Sequence, residues 1–294
     1  MKKQRIIGMF DSGVGGLTVM KEILDHIADV RIIYVGDTAR VPYGNRTLEE
    51  LTRFGEEILT FLISQGAEVI VAACNTSSAT ALPVLRERFD IPLIGMIEPG
   101  ARLAVESTKE GRIGLIATEA TVRSKAYASA VSKALAKGLL PQDKKLRTAW
   151  QHGEQPIVLV KAQACPLFVP LVEAGLSNSA EARGIARTYL EPIAQAEVDT
   201  VILGCTHYPF LTPVLREVLG HQVVFVDPAL AVVEELQELL YRLDVRDAAD
   251  TSAVVQSNWR VRYFVSGDPG LFRQVGNTLL HEPIAEVQRI SWGE

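Results

Sequence analysis

A chain of 294 residues, 48% hydrophobic and 22% charged, has the composition of an ordinary globular protein and a length that suggests about two domains. Its net charge of −5, without a sustained basic run, argues against nucleic-acid binding through a general electrostatic footprint, and no apolar run approaches the ~20 residues of a membrane span. The opening stretch from Met1 resembles a signal peptide, but Asp11 cuts its apolar part short. Three cysteines without such a signal predict a reducing, cytoplasmic setting rather than a disulfide framework.

In chain order, Arg5 to Phe10 reads as the first buried strand. The Asp11-Ser-Gly-Val-Gly-Gly16 segment after it matches neither Gly-x-Gly-x-x-Gly nor the P-loop. A tight turn explains its glycines. It does not explain Asp11 and Ser12 at a strand's carboxyl end, where open α/β sheets meet their ligands. A second strand, Arg31 to Gly36, leads into Asp37-Thr-Ala-Arg-Val-Pro42-Tyr43-Gly44, a turn whose backbone N–H groups could bind a carboxylate. Thr47-Leu-Glu-Glu50 is a capping box that predicts a helix to about Gln65. Further buried strands are predicted at Glu68 to Ala73, Pro92 to Met96, Arg112 to Ala117, Ile157 to Lys161, Thr200 to Gly204, Val223 to Val226, Val261 to Val265 and Glu286 to Ile290. Asn178-Ser-Ala-Glu181 reads as another helix start, and Asp244 to Asn258, polar and poorly periodic, as a surface loop. Strand–helix alternation of this kind predicts an α/β protein with mainly parallel sheets flanked by helices.

Two of the cysteines end strands in closely similar contexts. Cys74-Asn75-Thr76 follows Glu68 to Ala73, Cys205-Thr206-His207-Tyr208 follows Thr200 to Gly204, and both lead into the same Pro-Val-Leu-Arg-Glu, at Pro83 and at Pro213. A second correspondence relates Ile7-Gly-Met-Phe-Asp11-Ser12 to Ile113-Gly-Leu-Ile-Ala117-Thr118. Together they predict two similar halves, the second carrying an insertion at about 137–155. Two lobes follow: 1–98 with 208–294, and 99–207. If the halves face each other, the thiols stand on opposite sides of one cleft, the arrangement needed to remove a proton from one face of a carbon and return one to the other. Buried cysteines usually pack as small hydrophobes, and Cys165 in Ala-Cys165-Pro-Leu-Phe has only that reading. Cys74 and Cys205 instead stand where a strand meets polar backbone opening a helix, a setting that lowers a thiol's pKa. Cys205-x-His207 alone is short of the three or four ligands of a zinc site.

The motifs Phe10-Asp-Ser-Gly-Val-Gly-Gly-Leu17, Gly36-Asp-Thr-Ala-Arg-Val-Pro-Tyr-Gly44, Ala73-Cys-Asn-Thr76, Ala164-Cys-Pro-Leu-Phe-Val-Pro-Leu-Val-Glu173 and Leu203-Gly-Cys-Thr-His-Tyr-Pro209 resemble those of the glutamate racemases, in the family's order and over nearly the whole chain. The 137–155 segment looks longer than that family's usual linker. The resemblance implies two α/β lobes related by a pseudo-twofold axis with the active site between them, and a cofactor-independent racemase using neither pyridoxal phosphate nor metal. It implies Cys74 as the base for D-glutamate and Cys205 as the base for L-glutamate. Asp11 would assist the first, His207 the second, and Glu173 would be a further carboxylate on the second side. Asp11, Ser12, Tyr43, Gly44, Asn75, Thr76, Thr118, Thr206 and His207 would contact substrate. The implied role is supply of D-glutamate for peptidoglycan. The expected partners are glutamate and a second copy of the chain in a homodimer, without nucleic acid or membrane. Two other readings stay open on the residues alone: a two-cysteine racemase of aspartate, a hydantoin or another carboxylate, and a thiol-based redox or ligand-sensing protein.

Overall fold

The structure, a computed structural model, describes residues 4–246 and 259–292. Its ten strands are β1 (Arg5–Asp11), β2 (Val30–Gly36), β3 (Val69–Ala72), β4 (Leu93–Gly95), β5 (Arg112–Ala117), β6 (Val158–Ala164), β7 (Thr200–Gly204), β8 (Val224–Val226), β9 (Val261–Val265) and β10 (Val287–Arg289). They coincide, within a few residues at each end, with the ten apolar runs of the sequence. β2, β3 and β7 are short apolar runs buried along their whole length, as parallel strands covered by helices must be, while β6 and β10 are partly exposed.

The strands form two parallel sheets, one of order β10-β9-β2-β1-β3-β4 and one of order β6-β5-β7-β8. Each sheet belongs to its own compact unit. The first unit takes the described residues up to Gly95 and from Val232 onward, and the second is Met96–Ala231. The chain thus returns to the first unit at Val232, whereas the sequence reading places the return at 208. The reason is β8: its Val224 and Val226 pair with Thr200 and Ile202 of β7, so the strand closes the second sheet. Within each sheet the chain follows one plan. β1 lies between β2 and β3 with β4 outside β3; β5 lies between β6 and β7 with β8 outside β7. The internal correspondences therefore match topology: β1 and β5 are the equivalent inner strands, and the cysteines follow the equivalent strands β3 and β7.

Local signals explain the helices. Thr47 accepts from the Glu50 N–H while the Glu50 side chain accepts from the Thr47 N–H, closing the capping box on the helix Leu48–Ser64. That helix lays Leu51, Phe54, Ile58, Leu59 and Leu62 on the first sheet's core. Both Pro-Val-Leu-Arg-Glu copies lie at helix starts, Leu82–Arg88 and Thr212–Leu219, with proline in the first turn where no N–H is needed. At 178–181 the cap is Ser179, which accepts from the Ala182 N–H, so the helix Ala180–Gln195 begins one residue later than an Asn178 cap would start it. The 137–155 segment is partly helical: Asp143 caps Lys144–Gln151, which buries only Leu146. Residues 244–246 finish the helix Pro228–Arg246, and the rest of the loop expected at 244–258 lies outside the described residues. Among the described residues no helix is long and apolar enough to cross a membrane.

Candidate active site

In an open parallel sheet the crevice for ligands lies beyond the carboxyl ends of the strands, where the winding changes direction. In the first unit that is the end of β1: Asp11 is the last residue of β1, and Asp37 and Cys74 follow β2 and β3 there. Asp11 is 1% exposed. Its Oδ2 accepts from the Gly13 N–H at 2.8 Å and its carbonyl accepts from the Asp37 N–H at 3.0 Å. The Gly13 carbonyl accepts from the buried Tyr34 hydroxyl at 3.0 Å. Gly16 is demanded by this packing, since a Cβ there would meet Asp11 Cβ at 2.6 Å and the Tyr34 hydroxyl at 2.8 Å. Burial, then the nearby charges of Asp11 and Cys74, push the Tyr34 phenol well above its ordinary value. Tyr34 therefore stays a neutral donor beside both groups.

Cys74 caps the short helix Asn75–Ala79, and its carbonyl accepts from the Ser78 N–H at 2.9 Å. Cys74, Asn75 and Thr76 are all buried, and Ser12 is half-buried. The Tyr43-Gly44 turn opens a single 3-10 turn, Tyr43–Asn45. The Tyr43 ring is buried in the core, and its hydroxyl donates to Asp37 Oδ2. A substrate can therefore meet this turn through backbone, at the leading N–H groups that a helical turn leaves without internal partners. Asp37 also accepts from Ser266 and Trp292; sequence reasoning missed all three in this role.

In the second unit Thr118, Cys165 and Cys205 follow β5, β6 and β7. The Cys205 Sγ lies 3.8 Å from His207 Nδ1, and His207 Nε2 lies 3.0 Å from Glu173 Oε1. With Nε2–H donating to the carboxylate, Nδ1 can accept the thiol proton. The resulting imidazolium then stabilises the thiolate and is itself stabilised by Glu173. Cys205 is 8% exposed and His207 3%, so the relay is held almost out of water. The Glu173 side chain, 39% exposed, supplies its outer end. The next residue sets this geometry: the Tyr208 hydroxyl donates to the Cys165 carbonyl at 3.0 Å, tying the loop that begins the Phe168–Glu173 helix. Thr118 caps the helix Glu119–Ser124, its Oγ1 accepting from the Thr121 N–H. Thr206 is buried beside Cys205. Among the described residues no group of three or more His, Cys, Asp and Glu is arranged to hold a metal ion.

Cys165 is fully buried, and its Sγ donates to the Gln163 carbonyl at 3.7 Å. Burial, then the Cys205 charge, push its thiol well above the ordinary value of 9.0. A raised thiol pKa means the fold favours the neutral form. Its stabilising contribution is full below about pH 9 and is lost as the pH climbs, because the unfolded thiol then ionises. Between about pH 8 and 10, the denaturant midpoint of Cys165→Ala should therefore fall less than that of the unmodified chain. Equal slopes would contradict a buried, neutral Cys165.

Two parallel sheets of one winding plan, with buried cysteines after the equivalent strands β3 and β7, define an α/β protein of two similar units. The chain belongs to the Asp/Glu/hydantoin racemase family, a family of isomerases, whose model matches residues 7–236. It is 46% identical over 284 residues to a glutamate racemase of Desulforudis audaxviator, covering 96% of this chain and 97% of that one. Among solved structures it is similar to a glutamate racemase isoform of Bacillus anthracis, with a TM-score of 0.82, 33% identity and 98% of both chains covered. It is also similar to the glutamate racemase of Francisella tularensis solved with D-glutamate, with a TM-score of 0.79, 31% identity and 98% of both chains covered.

Proposed function

We propose that the chain interconverts L- and D-glutamate with two thiols and no cofactor, and so supplies D-glutamate for peptidoglycan in the cytoplasm, as a homodimer. The observation that carries this reading is the placement of Cys74 and Cys205 at equivalent strand ends of two sheets with one plan, in a chain related over its full length to glutamate racemases. An α-proton of an amino acid is weakly acidic, and the developing carbanion needs stabilisation without an electron sink. Asn75, Thr76, Thr118 and Thr206 supply hydrogen-bond donors for charge growing on the α-carboxylate. Ser12 and the Tyr43-Gly44 backbone anchor the carboxylate farther from the reacting carbon, which selects glutamate over shorter acids.

In this reading Cys205, activated by His207 and Glu173, takes the α-proton of L-glutamate, and the Cys74 thiol delivers a proton to the other face. The reverse reaction begins at Cys74, with Asp11 as its assisting carboxylate. One base on one face cannot invert a centre, because it returns the proton where it found it. The test is circular dichroism of an L-glutamate solution with purified protein dialysed exhaustively against chelator and hydroxylamine. The optical signal should decay to zero with no addition. Activity that is lost on dialysis and restored by pyridoxal phosphate or a metal ion would overturn the cofactor-free mechanism.

A further inference from the structure

We propose that Trp292, in the stretch after β10, is a positioning residue for glutamate binding, acting through Asp37 on the Tyr43-Gly44 turn; this rests on the reading that the turn grips a substrate carboxylate. Asp37 is fully buried at the carboxyl end of β2. Its Oδ1 accepts from the Trp292 indole N–H at 2.8 Å and from the Ser266 hydroxyl at 2.7 Å. Its Oδ2 accepts from the Tyr43 hydroxyl and lies 3.6 Å from Arg40 Nη1. A carboxylate cut off from water needs its lone pairs filled by fixed donors, and here the groups around it come from three separate stretches of chain: the turn of Arg40 and Tyr43, Ser266 after β9, and Trp292. The carboxylate is the joint that fixes the Tyr43 side chain, and with it the backbone of Tyr43 and Gly44, against β9 and the stretch after β10.

The indole is held as firmly as the group it serves. Its ring meets Phe61 edge-on at 6.3 Å, and the Arg40 guanidinium stacks over it at 5.0 Å while its Nη2 pairs with Glu57. Ser266 is itself oriented by the Ala39 N–H, which donates to its Oγ at 3.0 Å. Losing the indole N–H leaves a buried carboxylate oxygen one donor short. Asp37 must then turn toward another donor, and the Tyr43 hydroxyl moves with it. The turn grips the substrate away from the reacting carbon, so it holds ground state and transition state alike. Loss of such uniform binding raises KM and leaves kcat in place.

Trp292→Phe tests this role against packing, because it keeps an aromatic ring for Phe61 and Arg40 while removing the N–H with the five-membered ring, and Ser266→Ala tests the same joint with no change to that ring. With both glutamate enantiomers its KM should rise about three- to tenfold while kcat stays within about twofold, the change expected for one weakened charge-assisted hydrogen bond. Ser266→Ala, which removes the other donor to the same oxygen, should show the same split and serves if the first variant does not fold. A wild-type protein that racemises glutamate beside variants with wild-type KM would overturn the role of Trp292, as would a fall in kcat at constant KM. A wild-type protein inert toward glutamate would instead overturn the functional reading, and this inference with it.

Discussion

Cys74→Ala and Cys205→Ala should each remove racemisation in both directions, by at least the ~10²–10⁴-fold that one positioned acid or base contributes. In the proposed mechanism each turnover uses both thiols, one to abstract and one to deliver, so either deletion should stop both directions. Cys165→Ala should retain turnover, because that thiol is a packed neutral group. Circular dichroism in the far ultraviolet would establish that the inactive variants are folded. A complementary measurement uses the intact chain in deuterated water. Starting from L-glutamate, early label should sit in newly formed D-glutamate, because Cys205 retains the proton it abstracts while Cys74 delivers one drawn from solvent. Early label shared equally between recovered L-glutamate and product would point to a single base or to fast exchange, and would sink the division of labour between the thiols.

Most strands were legible because they are short apolar runs bounded by turn residues, and in β2, β3 and β7 burial along the whole strand leaves no polar alternation to obscure it. The equivalence of Cys74 and Cys205 was legible because the repeat keeps the Pro-Val-Leu-Arg-Glu helix starts as well as the thiols, and β3 and β7 have equivalent sheet positions. What escaped depends on pairing across long sequence distances. Nothing local in Val223 to Val226 says that it extends the second sheet, so the return to the first unit was set too early. Asp37 stood inside a quoted motif, yet its importance comes from Ser266 and Trp292, more than two hundred residues away, which no spacing rule connects to it. At 178–181 the choice between adjacent cap residues is settled by which side chain reaches the Ala182 N–H, a matter of geometry rather than composition.

His207→Asn should lower turnover by about 10²-fold or more, since the neutral amide can neither take the Cys205 proton nor carry the charge that stabilises its thiolate. Glu173→Gln should cost less, because the amide oxygen can still accept from Nε2 and the lost charge is partly screened at a side chain 39% exposed. The two enantiomers are equal in free energy, so kcat/KM must fall equally in both directions whichever thiol is impaired. The discriminating measurement is the isotope effect. Weakening Cys205 makes its own proton transfer the slow step. In His207→Asn, the effect on kcat/KM with α-deuterated L-glutamate should therefore exceed that of the unmodified chain, while the effect with α-deuterated D-glutamate should shrink. The opposite pattern would mean that His207 serves the thiol that deprotonates D-glutamate, contrary to its 3.8 Å approach to Cys205 and to the L-specific role assigned to that thiol.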